Sequence, residues 1–177
     1  MRIVSGELKG RKLSPPASFR ARPTTDRARE SLFNILNNLI DFKSQIVLDL
    51  FSGTGAISLE FASRGCQSIT AVEKNYAYFS FIKKTVSSWG LNKQIQVIKA
   101  DVFKVLNKME GNYTLIFADP PFALSTITDL PQMVFNSQLL LENGLFILEH
   151  GPEYNFEDSP HFWQNRRYGK VNFTFFR

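Results

Sequence analysis

From residue 46 onward the chain alternates short apolar runs with helix-patterned segments, and few folds accept that order. Ile46–Leu50, Ile69–Glu73, Ile95–Ile98, Tyr113–Ala118 and Leu145–Glu149 are runs of four to six residues rich in Val, Ile, Leu and aromatic side chains. Runs of that kind suit strands buried on both faces of a parallel sheet. Helix-patterned stretches lie between them: to about Arg64, from Tyr76 to Trp89, just after Asp101, and around 127–141. Strands alternating with helices predict an α/β, doubly wound, mostly parallel sheet, whose ligands sit beyond the carboxyl ends of the strands. Near the end, Lys170–Phe175 alternates polar and apolar residues. That spacing predicts a strand with one exposed face, antiparallel at or near an edge. The aromatic tail from Phe162 to Phe176 reads as core packing.

The stretch before residue 46 is different. Gly6, Gly10, Pro15 and Pro16 predict a short hairpin or extended arm followed by a loop. Thr24, Thr25 and Asp26 offer N-cap side chains for a helix over roughly 26–40, whose Ala28, Leu32, Phe33, Ile35, Leu36, Leu39 and Ile40 recur at helical spacing. The expected organisation is an arm over 1–25 and one structural unit over 26–177. Charge marks the same division. Residues 1–29 carry eight basic against two acidic side chains, net +6, so with +5 in the whole chain the remainder sums to −1. A localised basic face suits a polyanion, although a solvated terminus has the same composition.

Other features exclude whole classes. The N-terminus is charged too early for a secretory signal, and no apolar run approaches membrane-spanning length. Cys66 is the only cysteine, with only His150 and His161 beside it, so neither an internal disulfide nor a closed Cys/His zinc site is expected. The reading is a cytoplasmic monomer without metal or membrane association.

The strand ends carry the chemistry. Asp49-Leu50-Phe51-Ser52-Gly53-Thr54-Gly55 follows the first strand, and its two glycines let backbone approach a ligand closely. A dinucleotide fingerprint wants a third glycine, where this chain has Ser58. Asp49 would repel a pyrophosphate but suits a ligand with a cationic amine and a sulfonium, which favours S-adenosylmethionine over NAD. Glu73, closing the second strand ahead of Lys74, can accept from both hydroxyls of a ribose, which either cofactor has. Asp101, after the third strand, reads equally as a helix N-cap or as an acceptor for an adenine amine with the Val102 N–H beside it. Asp119-Pro120-Pro121-Phe122, after the fourth strand, is the most specific signal. Two prolines stiffen the turn and remove two donors. What remains is two acceptors, the Asp119 carboxylate and the Pro120 carbonyl, with Phe122 as a stacking face. That set fits a planar exocyclic amine held by its two hydrogens.

Asp-Pro-Pro-Phe resembles the (Asp/Asn/Ser)-Pro-Pro-(Phe/Tyr/Trp) motif of amino methyltransferases. Arg22-Pro23-Thr24-Thr25-Asp26-Arg27-Ala28-Arg29-Glu30 resembles a signature of the RsmD-type 16S rRNA guanine-N2 methyltransferases, and the segments from Arg2 to Leu13 and from Leu48 to Leu59 are similar to their start and cofactor loop. The resemblance runs from the N-terminus to about His150. It implies a seven-stranded sheet of the class I S-adenosylmethionine-dependent type with a small basic N-terminal extension. It implies a cofactor site of Arg22, Thr24, Asp49, Phe51, Gly53, Gly55, Glu73, Lys74, Asp101 and Val102. Asp119, Pro120, Pro121 and Phe122 then hold the target base, and Arg11, Lys12, Arg20, Arg22 and Arg27 meet RNA. The implied substrate is a guanine of 16S rRNA in the small ribosomal subunit or its assembly intermediate. Ser58 and Ser5 depart from glycines usual in the family. An adenine-N6 methyltransferase acting on DNA or RNA shares the Asp-Pro-Pro-Phe run. An NAD-dependent oxidoreductase and a non-catalytic RNA-binding protein are the readings from other classes.

Overall fold

The computed structural model describes residues 1–19, 25–121 and 123–177. Its centre is one seven-stranded sheet in the order β3-β2-β1-β4-β5-β7-β6. The strands are β1 (Ile46–Leu50), β2 (Ser68–Glu73), β3 (Ile95–Lys99), β4 (Tyr113–Ala118), β5 (Leu140–His150), β6 (Phe162–Tyr168) and β7 (Val171–Phe176). The first five run parallel, and β7 joins β5 and β6 antiparallel. Helices α1 (Asp26–Leu39), α2 (Ala56–Ser63), α3 (Tyr76–Ser88), α4 (Val102–Lys108) and α5 (Leu130–Asn136) cover the sheet. Two apolar cores result, one on each face. Val47, Leu115, Phe117 and Ile147 belong to one, with Leu32, Phe33 and Phe61; Leu48, Leu50, Ile116, Phe146 and Leu148 belong to the other. Strand order reverses between β1 and β4, and that switch point is where such sheets open a ligand crevice.

Most sequence expectations hold, with three corrections. Helix α5 occupies only Leu130–Asn136, after a 3₁₀ turn at Ile127–Asp129, rather than the whole of 127–141. Gln138 takes a left-handed φ of 59° that ends the helix, and the chain then enters β5 at Leu140, earlier than its apolar run suggests. The tail forms two strands: β6 is a separate edge strand. Strand β7 lacks the exposed face that its alternation suggests, since Asn172 and Thr174 are buried beside Phe173 and Phe175. Buried polar groups need partners, and these have them: Asn165 bonds both, and a ring nitrogen of His150 lies 2.7 Å from the Thr174 hydroxyl.

The N-terminal segment forms a turn closed by an antiparallel bridge between Arg2 and Lys12, with Ile3 and Leu13 buried in the core shared with α1 and α2. Glu60, fully buried on α2, accepts from the N–H groups of Val4 and Ser5 and from Arg64. Arg29 donates to the Arg2 carbonyl and to Asp26, and its Nε lies 4.0 Å from Glu60. Gly6 permits the join to α2. Its φ is 82°, and a Cβ there would stand 1.8 Å from the Ser63 carbonyl oxygen.

Candidate active site

The carboxyl ends of β1, β2 and β4, with the first turns of α3 and α4, enclose a cavity of about 920 Å³. Asp49, Phe51, Gly53, Glu73, Lys74, Asp101, Val102, Asp119, Pro120 and Pro121 all line it. These residues lie up to 72 positions apart in the sequence, and parallel strand order alone brings them together.

The glycine turn is folded around two carboxylates. Phe51, Gly53 and Gly55 have φ of 58°, 54° and 77°, so three left-handed residues turn the chain from β1 into α2. At Gly55, the N-cap of α2, a side chain would also meet Ile82 of α3 at 3.1 Å. Phe51 is not a glycine, and a left-handed residue with a large side chain is costly unless its surroundings hold it. Here Ser52 N–H donates to the Val72 carbonyl and Ser52 Oγ to the Asp49 carbonyl. Glu73 closes the turn from β2: one carboxylate oxygen accepts from Gly53 N–H at 2.9 Å and the other from Asn75 N–H at 2.7 Å. A carboxylate has about four acceptor positions, so Glu73 keeps acceptor capacity beyond the bonds that close the turn.

Asp49 is 1% exposed, and burial pushes its carboxyl from 3.8 up to about 7 despite donation from Ser58 and Ser52, with the Glu73 charge acting in the same direction as burial. Asp49 therefore places a buried carboxyl, raised by desolvation, on the wall of the cavity. Ser58, standing where the sequence pattern expects glycine, is fully buried and donates its hydroxyl to Asp49. Glu73 is also shifted up by desolvation. Asp101 is the N-cap of α4: one oxygen accepts from Phe103 N–H, and the other pairs with Lys74 Nζ at 2.8 Å, while the residue lines the cavity. The Lys74 ammonium holds the Asp101 carboxyl below its usual range.

Asp119, Pro120 and Pro121 carry the wall of the cavity beyond the end of β4. Phe122, Arg20, Arg22 and Thr24 lie outside the described residues. Arg11, Lys12 and Arg27 are exposed and do not line the cavity; Arg11 stacks on Trp89 at 4.5 Å. The sequence reading missed Phe103, Asn75, Tyr78 and Leu124, which also line it. Phe103, two residues after Asp101, meets Phe51 edge to face at 6.5 Å and supplies a flat apolar wall. Among the described residues there is no group of three His, Cys, Asp or Glu able to hold a metal, and no helix long and apolar enough to cross a membrane.

The residues present fit S-adenosylmethionine: a buried acid for its cationic end, an acid with spare acceptor capacity for the ribose, and an apolar aromatic wall beside Asp101 for the adenine. The strand order with its crevice between β1 and β4 defines a class I S-adenosylmethionine-dependent methyltransferase fold. The chain belongs to the family described as conserved hypothetical protein 95, the RsmD family, whose model matches residues 1–177. The ribosomal RNA small subunit methyltransferase D of Escherichia coli (strain K12) is 30% identical over 167 residues, 94% of this chain and 83% of that protein. The protein of the same name from Buchnera aphidicola subsp. Baizongia pistaciae is 32% identical over 149 residues, 84% of this chain and 75% of that protein. A hypothetical protein of Thermus thermophilus superposes with a TM-score of 0.85 at 28% identity, covering 100% of this chain and 99% of that one. The T. thermophilus 16S rRNA N2 methyltransferase RsmC, solved in complex with AdoMet and guanosine, shares the fold with a TM-score of 0.69 at 23% identity, over 89% of this chain and 44% of that one.

Proposed function

We propose that this protein is an S-adenosylmethionine-dependent rRNA methyltransferase whose target is the exocyclic N2 amine of a guanine in 16S rRNA, presented on the small ribosomal subunit or its assembly intermediate. The observation that carries the reading is that Asp119 and Pro120, the acceptor pair after β4, line the same cavity as Asp49 and Glu73. Membership of the RsmD family and the names of its relatives support the substrate.

Asp49 receives the cationic end of the cofactor and Glu73 its ribose. Asp101, the Val102 N–H and Phe103 surround its adenine, and Lys74 holds Asp101 in place. Bound there, S-adenosylmethionine supplies an electrophilic methyl carbon on a sulfonium. The target amine is a poor nucleophile, because its lone pair is delocalised into the base. The Asp119 carboxylate and Pro120 carbonyl would accept its two hydrogens and orient its lone pair for transfer, and the motif gives Phe122 the stacking role. Such positioning makes a bimolecular step effectively unimolecular. Asp49, Glu73 and the Asp101–Phe103 segment would hold the cofactor while the amine takes the methyl group that it supplies, and one amine proton would leave to solvent, directly or across Asp119. The base is flipped or unpaired to enter, because a stacked amine is out of reach.

The test is transfer of labelled methyl groups to small subunits lacking the modification, with naked 16S rRNA and DNA alongside, and identification of the product nucleoside. N2-methylguanosine on subunits is the expected product. N6-methyladenine would move the substrate to adenine, and absence of transfer to any of the three would refute the reading.

A further inference from the structure

Charge summed over residues 30–177 hides a second basic region. Residues 74–108 contain seven lysines (74, 83, 84, 93, 99, 104 and 108) against the single acid Asp101, a net +6 equal to that of the N-terminal arm. The remaining segments, 30–73 and 109–177, together carry −7, which is why the whole looks neutral. All seven lysines are exposed, and they lie on or beside α3, the edge strand β3 and α4, at the β3 end of the sheet.

Aromatic rings are interleaved with these charges. Tyr76, at the first turn of α3, is 68% exposed, and Lys99 Nζ stands 5.4 Å from its ring centre. Phe79, three residues on and in contact with Tyr76, has Lys83 Nζ 5.9 Å from its ring. Tyr76, Phe79 and Lys83 follow helical spacing, so they form a row along one face of α3. The row begins at the cavity, since Lys74, Asn75 and Tyr78 line its rim. Beyond the end of the helix, Arg11 of the arm stacks on Trp89, which packs against the core. Helix α3 is about 20 Å long at 1.5 Å per residue, so the charged face spans several nucleotides. Lysines also guard edge strands against pairing, which accounts for Lys93 and Lys99. It does not account for Lys83 and Lys84 on the helix, nor for an exposed tyrosine.

Positive charge along a track with rings on which bases stack is how proteins hold unpaired nucleic acid. We infer that the α3–β3 face is an RNA-binding surface, which holds the single-stranded RNA flanking the target base as that base enters the cavity. Charge complementarity commits the face to a polyanion, and an exposed ring next in sequence to the cavity-lining Asn75 favours RNA over a lipid surface. The inference rests on the methyltransferase reading above.

The test uses the full chain with Lys83→Gln, Lys84→Gln and Lys99→Gln combined, and Tyr76→Ala and Tyr76→Phe separately. Each is titrated with labelled single-stranded RNA, duplex RNA of equal length, and vesicles containing phosphatidylserine. The triple variant is expected to lose about tenfold or more in single-stranded RNA affinity and to show a log–log salt slope shallower by about two. Tyr76→Ala should lose about tenfold on single strands and little on duplex, with Tyr76→Phe restoring binding. Melting temperature and S-adenosylmethionine affinity should stay at wild-type values, because none of the four side chains lines the cavity. RNA affinity and slope unchanged in the triple variant, while wild type binds RNA and transfers methyl groups, would overturn this inference and leave the proposed function standing. A triple variant that loses vesicle binding but keeps RNA binding would overturn it in favour of a membrane surface. A wild type that neither binds nor methylates RNA would sink the proposed function itself.

Discussion

The cavity and the basic face meet at Lys74 and Tyr78, yet opposite physics governs them. In the cavity the decisive charges are few and withdrawn from water. Asp49 is buried, Glu73 is tied to Gly53 and Asn75, and low polarity makes each charge strong and costly. On the face the charges are many and exposed, each is weak, and salt screens them over about 8–10 Å. The difference implies separable controls. Cofactor affinity should follow pH and ignore salt, whereas RNA affinity should follow salt and ignore the protonation of Asp49.

The largest expected effect falls where both regions converge on the base. Asp119→Ala should lower methyl transfer by roughly 10² to 10³, the scale of losing one preorganised polar contact to the reacting group. Cofactor affinity should remain within a few-fold of wild type, measured by calorimetry on the same preparation; an equal loss of both would place Asp119 in the cofactor site instead. Next comes the anchor of the arm. Glu60→Ala removes the acceptor of two arm N–H groups, breaks the buried pair with Arg64, and leaves the half-exposed Asp26 as the one anion beside the buried Arg29, whose Nε and Nη1 already lack hydrogen-bond partners. Breaking a buried ion pair on one side costs about 3–5 kcal/mol, so a melting temperature lower by roughly 10 °C is expected. A shift under about 2 °C would show that the arm holds without this cluster.

Neutralising Arg11, Lys12 and Arg20 together should weaken RNA binding about tenfold and flatten its salt slope by about two to three, without moving cofactor affinity. An unchanged slope would leave the arm out of RNA contact. The pH prediction acts on the other region. Asp49 is raised in the folded protein, so its favourable contribution to apo stability is full below 3.8 and is lost as pH rises through about 7. A cationic ligand prefers the ionised form, so cofactor affinity should climb toward a plateau just above neutrality, with proton release on binding. Asp49→Asn should abolish both the climb and the release, which calorimetry in buffers of different ionisation enthalpy reads directly. The smallest effect is expected at Ser58. Its hydroxyl favours ionised Asp49, so Ser58→Ala should push the carboxyl higher and lower cofactor affinity a few-fold at neutral pH, with recovery in alkali. A loss of equal size at every pH would make Ser58 a packing residue only.

What the sequence disclosed follows the same division. Asp49, Glu73, Asp101 and Asp119 were legible because each closes an apolar run, and strand ends in a parallel sheet converge on one crevice. Phe103 and Tyr78 were not, because a helix start gives no sign of which ring turns toward a ligand. The second basic region was invisible for an arithmetical reason: its lysines cancel against acids that the fold places elsewhere, many of them in the β4–β7 half. The tail misled for a physical one. Asn172 and Thr174 look like an exposed face until β6 and His150 arrive to satisfy them.

Transfer to the base amine by way of Asp119 is tested most directly in cells that lack the gene, by nucleoside digests of their 16S rRNA after restoring either wild type or Asp119→Ala. Wild type is expected to add one N2-methylguanosine and the variant none. Digests unchanged by wild type, or a gain of N6-methyladenine, would contradict the account.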